Sequence, residues 1–311
     1  MEVDLAPVTV ASIAALFGLL VGSFLNVVVW RVPRGESIVR PSSHCPGCDT
    51  PLRARDNVPL VSWIALRGRC RYCSERISAR YPATEFGSAL LFWGVGYRFH
   101  DSWSLFAYLV LVAALLALSL IDIEHLLLPN KVIYPTAAFV VPLLALASGL
   151  EDDWGAFGRA ALGAGIAFAV FFVIWFVAPG AMGYGDVRLS ALLGFALGWL
   201  GWPALYLGMF LPFLLGTIGG IAAAAPVVLV PMALGAGLGW LGGESVLESL
   251  STGLTDDPGQ ARLIAAVFAA VTAGALVYLV LSLRGRVERG RQIPFGPYLA
   301  AGAVVALLAL A

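Results

Sequence analysis

WSLFAYLVLVAALLALSLIDIE, residues 103–124, runs without a charge from Trp103 to Ile121 and then meets Asp122 and Glu124. About 20 apolar residues, rising 1.5 Å each, cross the roughly 30 Å hydrocarbon layer of a bilayer. Further runs of this kind stand at roughly 8–30, 84–99, 132–149, 156–178, 187–202, 204–224, 226–243, 261–283 and 293–310. In lipid every backbone N–H and C=O needs an internal partner, and continuous rather than alternating apolarity excludes a β-barrel, so the spans are helices. Of 311 residues, 60% are hydrophobic and 12% charged, whereas soluble domains carry about 25% charged residues. The mean hydropathy is +0.89. The expectation is an all-α polytopic membrane protein with roughly 8–10 transmembrane helices. The runs 84–99 and 187–202 are short, which predicts tilt, a break or aromatic anchoring. The opening Met-Glu-Val-Asp lacks a basic n-region, so the first run is expected to be a retained helix.

The net charge of zero hides a segregation of charge along the chain. Arg31, Arg34, Arg40, Arg53, Arg55, Arg67, Arg69, Arg71, Arg76 and Arg80 crowd the loop between the first two spans, and Arg284, Arg286, Arg289 and Arg291 form a second basic loop. Basic loops face the cytoplasm. Glu151-Asp152-Asp153 and the segment Glu244 to Asp257 then face outward. Ten spans satisfy these assignments, and eight do so if 204–243 is re-entrant; nine does not. On either even count the ends bearing Asp122 and Asp186 share the cytoplasmic face. No internal repeat is evident, and the glycine-rich stretches Gly216 to Gly220 and Gly235 to Gly243 fit close helix packing better than nucleotide binding. No feature calls for a nucleic-acid partner.

All four cysteines lie in the first basic loop, as Cys45-Pro-Gly-Cys48 and Cys70-Arg-Tyr-Cys73. Two such knuckles suit one tetrahedral Zn²⁺ in a zinc-ribbon-like loop; four thiolates leave no position for water, so the metal is structural. A pair of disulfides would require an oxidising compartment, contrary to the cytoplasmic placement. His44 adjoins the first knuckle and is read as a bystander.

An acid at membrane depth is a functional-site hypothesis by default. Asp122 closes one apolar run, before Pro129 and Asn130 break the helix; the simpler reading is a headgroup-solvated helix end, which also suits Glu124 and His125. Asp186 follows Gly183-Tyr184-Gly185, and its simpler reading is a helix cap. The two glycines around Tyr184 exceed what a cap needs. Two carboxylates sharing one proton can activate water and protonate a leaving group, with no serine or cysteine nucleophile.

In these residues the chain resembles the bacterial type IV prepilin peptidases, membrane aspartic proteases with a GxGD motif. The resemblance covers most of the chain. It runs through Gly22-Ser23-Phe24-Leu25-Asn26-Val27-Val28 and Arg31-Val32-Pro33, then the knuckles with Asn57 to Trp63 between them, and Ile77 to Pro82 with Glu85. Asp122 with Leu128-Pro129, then Gly183 to Leu189 and Ile293 to Pro297, complete it. It implies cleavage of prepilins and pseudopilins after a short basic leader, at the cytoplasmic face of the bacterial inner membrane. It implies Asp122 and Asp186 as the catalytic pair, and N-methylation of the new N-terminus with S-adenosylmethionine. It divides the chain into a first helix (1–30), a tetracysteine loop with a possible methyltransferase role (31–83) and a polytopic peptidase domain (84–311). Departures are Arg188 in place of a common lysine, Asn130 in place of a frequent acid, and an interval before Pro294 longer by about two spans, around 226–260. The alternatives are a membrane N-methyltransferase in which the acids orient substrate, and a zinc-ribbon scaffold or proton-coupled transporter. Lipid headgroups are expected to meet the basic loop. Glu85 is a candidate for attracting a basic leader, against a plain helix-start acid.

Overall fold

The computed structural model describes residues 6–177, 182–221 and 295–310. Eight of the ten apolar runs fall on these residues, and each is a helix. They are α1 (Ala6–Arg31), α3 (Arg80–Arg98), α4 (Leu105–His125), α5 (Asn130–Leu150), α6 (Trp154–Val177), α7 (Tyr184–Leu200), α8 (Trp202–Ile221) and α9 (Gly296–Leu310). A five-residue helix, α2 (Val61–Ala65), lies inside the first loop. Among the described residues there is no strand, only two isolated bridges. By length and apolarity, α1, α4, α5 and α6 can cross a membrane. The spans 226–243 and 261–283, the extra interval around 226–260, Gly235 to Gly243, the Glu244–Asp257 segment, Arg284 to Arg291 and Ile293-Pro294 lie outside the described residues. Gly216 to Gly220 fall in the last turns of α8, so no phosphate loop forms there.

The chain divides into two units, residues 1–157 and 158–311. In the first, α1 crosses α3 on small residues. A Cβ on Gly22 would meet the Glu85 Cα at 2.7 Å, and one on Gly96 would meet Ala14 Cβ at 2.8 Å. Such contacts let backbones approach where lipid offers no hydrophobic drive to associate. Asn26, buried in α1, donates through Nδ2 to the Tyr81 carbonyl at 3.2 Å. Towards its C-terminal end α1 packs Leu25, Val28 and Val29 against Ala117 and Ile121 of α4, the latter just before Asp122.

In the second unit α7 has only 17 residues, of which Leu189, Leu193, Ala196 and Leu197 are completely buried. A helix covered on every side by protein need not match the bilayer thickness. Close approach again sets the contact: a Cβ on Gly194 would sit 2.5 Å from the Gly163 carbonyl oxygen of α6, and one on Gly302 of α9 would sit 2.5 Å from Pro212 of α8. Arg159 donates to the Trp199 carbonyl at 3.2 Å, placing a cation at the C-terminal end of α7, where the helix dipole favours it.

Candidate active site and metal centre

The loop between α1 and α3 is built on two knuckles that follow one backbone path. In each, the first cysteine's N–H donates to the carbonyl five residues on: Cys45 to Thr50 at 3.1 Å, Cys70 to Glu75 at 2.8 Å. In each, the residue after the second cysteine donates back to the first cysteine's carbonyl, Asp49 to Cys45 at 2.8 Å and Ser74 to Cys70 at 3.0 Å. Asp49 and Ser74 take left-handed backbone (φ 52° and 61°), and the flanking bridges His44–Pro51 and Arg69–Arg76 have the same register. The shared path extends the likeness of the two CxxC spacings to the residues around them.

This geometry gathers Cys45, Cys48, Cys70 and Cys73, all free, with their Sγ atoms within 4.8 Å of one another. Cys45 Sγ and Cys73 Sγ are 3.7 Å apart. A tetrahedron with metal–sulfur bonds of about 2.3 Å has edges of about 3.8 Å, so the donor set fits a tetrahedral thiophilic ion. The knuckle amides point the same way: the N–H groups of Cys73 and Tyr72 draw the Cys70 thiol down to about 7. Cys48 is lowered, chiefly by the Thr50 hydroxyl. Cys45 is raised by burial. At Cys73 the Glu75 N–H lowers the thiol, but burial and the other sulfurs prevail and push it to about 12. Were all four ionised, thiolates this close would need a cation to balance them. His44 stays outside the cluster, its Nδ1 3.1 Å from the Ser42 carbonyl.

The segment between the knuckles is anchored at Asp56, Leu60, Ser62 and Trp63. Ser62 Oγ accepts from the Val58 N–H at 2.9 Å and donates to the Arg55 carbonyl at 3.0 Å, while Trp63 Nε1 donates to the Ile77 carbonyl at 3.2 Å. Arg71 pairs with Asp56 at 2.7 Å and holds its carboxyl below the usual range. Buried Glu85 of α3 accepts the Leu60 N–H at 2.8 Å. Its carboxylate thus serves the protein's own backbone, a role the sequence did not disclose because the partner is an amide 25 residues upstream.

Asp122 stands in the last turn of α4 and is 5% exposed. The helix stops just beyond it: Leu126 takes left-handed backbone (φ 52°) and its N–H closes on the Asp122 carbonyl at 2.9 Å. Pro129 caps α5 and Asn130 begins it, so the sequence signal for a break holds. Glu124 pairs with Arg80 at the start of α3.

Asp186 lies in the first turn of α7 and is also 5% exposed. Its Oδ2 accepts the Gly183 N–H at 3.0 Å, and its own N–H donates to the Gly183 carbonyl at 3.1 Å. The capping geometry is therefore present. Tyr184 is held between Trp175, at 5.0 Å between ring centroids, and the Arg188 guanidinium, 4.5 Å above the ring. Asp122 and Asp186 belong to different units, and each is placed by its own neighbours.

Residues 16–99 match the bacterial peptidase A24 N-terminal domain, and residues 109–290 match the type IV leader peptidase family. Among curated relatives, a prepilin leader peptidase/N-methyltransferase of Stutzerimonas stutzeri is 37% identical over 240 residues, 68% of this chain and 80% of that protein. One of Bacillus subtilis (strain 168) is 34% identical over 248 residues, 76% of this chain and 96% of the relative. One of Myxococcus xanthus (strain DK1622) is 44% identical over 189 residues, 59% and 55% respectively. No solved structure matches the chain.

Proposed function

The chain belongs to the type IV leader peptidase family, and we propose that Asp122 and Asp186 are its two catalytic carboxylates. Cleavage of prepilin leaders, with methylation of the new N-terminus, is the activity that accompanies this membership. Among the described residues three acids are buried, Glu85, Asp122 and Asp186, and a fourth, Asp56, has its side chain covered beside Arg71. Glu85 bonds the loop; Asp122 and Asp186 carry the reading, each in a helix end that matches the family's motifs.

In the proposed reaction one carboxylate takes a proton from water as its oxygen bonds the scissile carbonyl carbon. The other acid gives its proton to the departing amine as the C–N bond breaks. A helix N-terminus favours negative charge and a C-terminus opposes it. The first-turn position of Asp186 in α7 therefore suits the base, and the last-turn position of Asp122 in α4 suits the proton donor. Infrared difference spectra test this division: the protonated-carboxyl band should vanish in Asp122→Asn, and its loss in Asp186→Asn instead would reverse the roles.

The four cysteines are assigned Zn²⁺ as a structural ion that closes the two knuckles on each other. The loop and both aspartates are placed on the cytoplasmic side of the inner membrane, where the basic residues meet anionic lipid. Prepilins and pseudopilins are the substrates, and S-adenosylmethionine is the methyl donor; no residues are assigned to that donor.

Mass spectrometry of a prepilin-like substrate incubated with membranes tests the reading. Wild type should remove the leader and add a methyl group. Asp122→Asn and Asp186→Asn should lose cleavage by about 10²–10⁴-fold, the usual worth of general acid–base catalysis. Asparagine at 186 still accepts the Gly183 N–H, so a role confined to capping would leave cleavage intact and end the proposal.

A further inference from the structure

The short helix α2 presents an apolar face that nothing in its own loop covers. Val61 and Ile64, one turn apart, are 62% and 68% exposed, and Val58 just upstream is 44% exposed. The residues between them point inward: Ser62 is buried in its two hydrogen bonds, and the Trp63 ring packs over Gly68 while its N–H is bonded to Ile77. The outward set of Val61 and Ile64 is thus fixed by the fold. Isolated exposed apolar residues need no explanation, but three within seven residues, held rigidly on one segment, do. Arg53, Arg55 and Arg67, all exposed, flank them. Residues 31–80 as a whole carry ten arginines against four acids.

The position of this face along the helices indicates what covers it. Glu85, which holds the Leu60 amide, lies about 8 Å along α3 from Arg80, at 1.5 Å per residue. Gly22, against the same turn of α3, lies about 13 Å from the Arg31 end of α1. At 26 residues α1 is about 39 Å long, against a hydrocarbon layer of roughly 30 Å. The segment carrying Val61 and Ile64 therefore folds back beside the membrane helices, to the level where headgroups give way to acyl chains. An apolar face rimmed with arginines at that depth has the chemistry of an interfacial anchor.

We propose that α2 seats Val58, Val61 and Ile64 in the surface of an anionic bilayer, with the flanking arginines on lipid phosphates, and that Glu85 holds the metal loop at this depth. The loop is then a monotopic foot beside the spanning helices, docked on lipid.

Hydrogen exchange on the full chain, in nanodiscs of phosphatidylcholine with and without phosphatidylglycerol, tests this. Amides 57–66 should exchange about ten-fold more slowly in the anionic discs, and p-benzoylphenylalanine in place of Ile64 should yield lipid adducts on illumination. In the Val61→Ser, Ile64→Ser double variant the difference between discs should disappear, while amides 45–50 and 70–75 keep their protection. Equal exchange of the wild type in both discs overturns the proposal. So does a crosslink from position 64 to a second copy or to an added prepilin-like helix instead of to lipid. The crosslink decides even where the double variant fails to fold, and leader cleavage in detergent micelles reads the peptidase reading separately.

Discussion

The end of α4 and the start of α7 each present a buried aspartate, by opposite means. At α4 the backbone turns away beyond Asp122 through the left-handed Leu126, and Arg80 pairs with Glu124 two residues further along. Around that helix the first unit adds polar latches to its glycine contacts: Asn26 on the Tyr81 carbonyl, the Leu60 amide on Glu85, Arg71 on Asp56. At α7 the carboxylate itself bonds the turn that begins the helix, and the helices of the second unit meet glycine to backbone, as α1 and α3 do in the first. Polar latches can be removed one by one with graded loss, whereas a backbone contact at 2.5 Å leaves no room to yield. The two kinds of contact should therefore respond differently to substitution.

The largest expected effect is at the α6–α7 crossing. Gly194→Leu places a side chain against the Gly163 backbone and should cost about 3 kcal/mol or more by overpacking. Gly165→Leu, where a Cβ meets nothing within 4 Å, should be tolerated. Thermal melts of both in detergent compare them; similar melting points would remove the steric half of the contrast. Next, Cys48→Ser should release bound metal and open residues 41–80 to protease while α4 to α6 stay folded. Unchanged metal content would overturn the four-thiolate site.

Glu85→Ala leaves the Leu60 amide without its acceptor and should cost about 2 kcal/mol, visible as faster exchange of amides 57–66. Unaltered exchange would show the latch to be dispensable. Asp186→Ala removes a cap, worth about 1 kcal/mol, and Asp186→Asn retains one. Equal melting of the two would deny the cap any energetic weight. The smallest effect concerns pH. The Arg71 guanidinium lowers the Asp56 carboxyl below its ordinary value of 3.8, so the pair's stabilisation is fully present above that value. It is lost as pH falls through the lower folded value. Loop exchange in wild type should accelerate towards Asp56→Asn only below about pH 4; a difference that persists at lower pH would assign the effect to another group.

Much of this architecture was legible beforehand, because apolar runs and punctuation are local signals. Eight of the ten runs are helices within a few residues of their expected ends, and Pro129-Asn130 opens α5 as read. The four cysteines gather as their spacing implies. Other features depend on partners far apart in sequence. The Glu85–Leu60 bond joins residues 25 apart and makes an acid that looked available for a substrate part of the loop's support. The cysteine spacing pairs the two knuckles, but the match of Asp49 with Ser74 lies in backbone path and not in residue type. The helix α2 escaped because five residues carry no periodicity to detect.

The sequence by itself determined that the chain is helical and membrane-spanning, where the helices break, and which acids and thiols are candidates. Those properties follow from hydrocarbon cost, backbone hydrogen bonding and ligand spacing, each decided within a short window. Only the tertiary structure decided which glycines are contacts, why the short α7 is stable, and what Glu85 holds. These depend on two segments meeting at a given height and angle, and no single stretch of the chain encodes that.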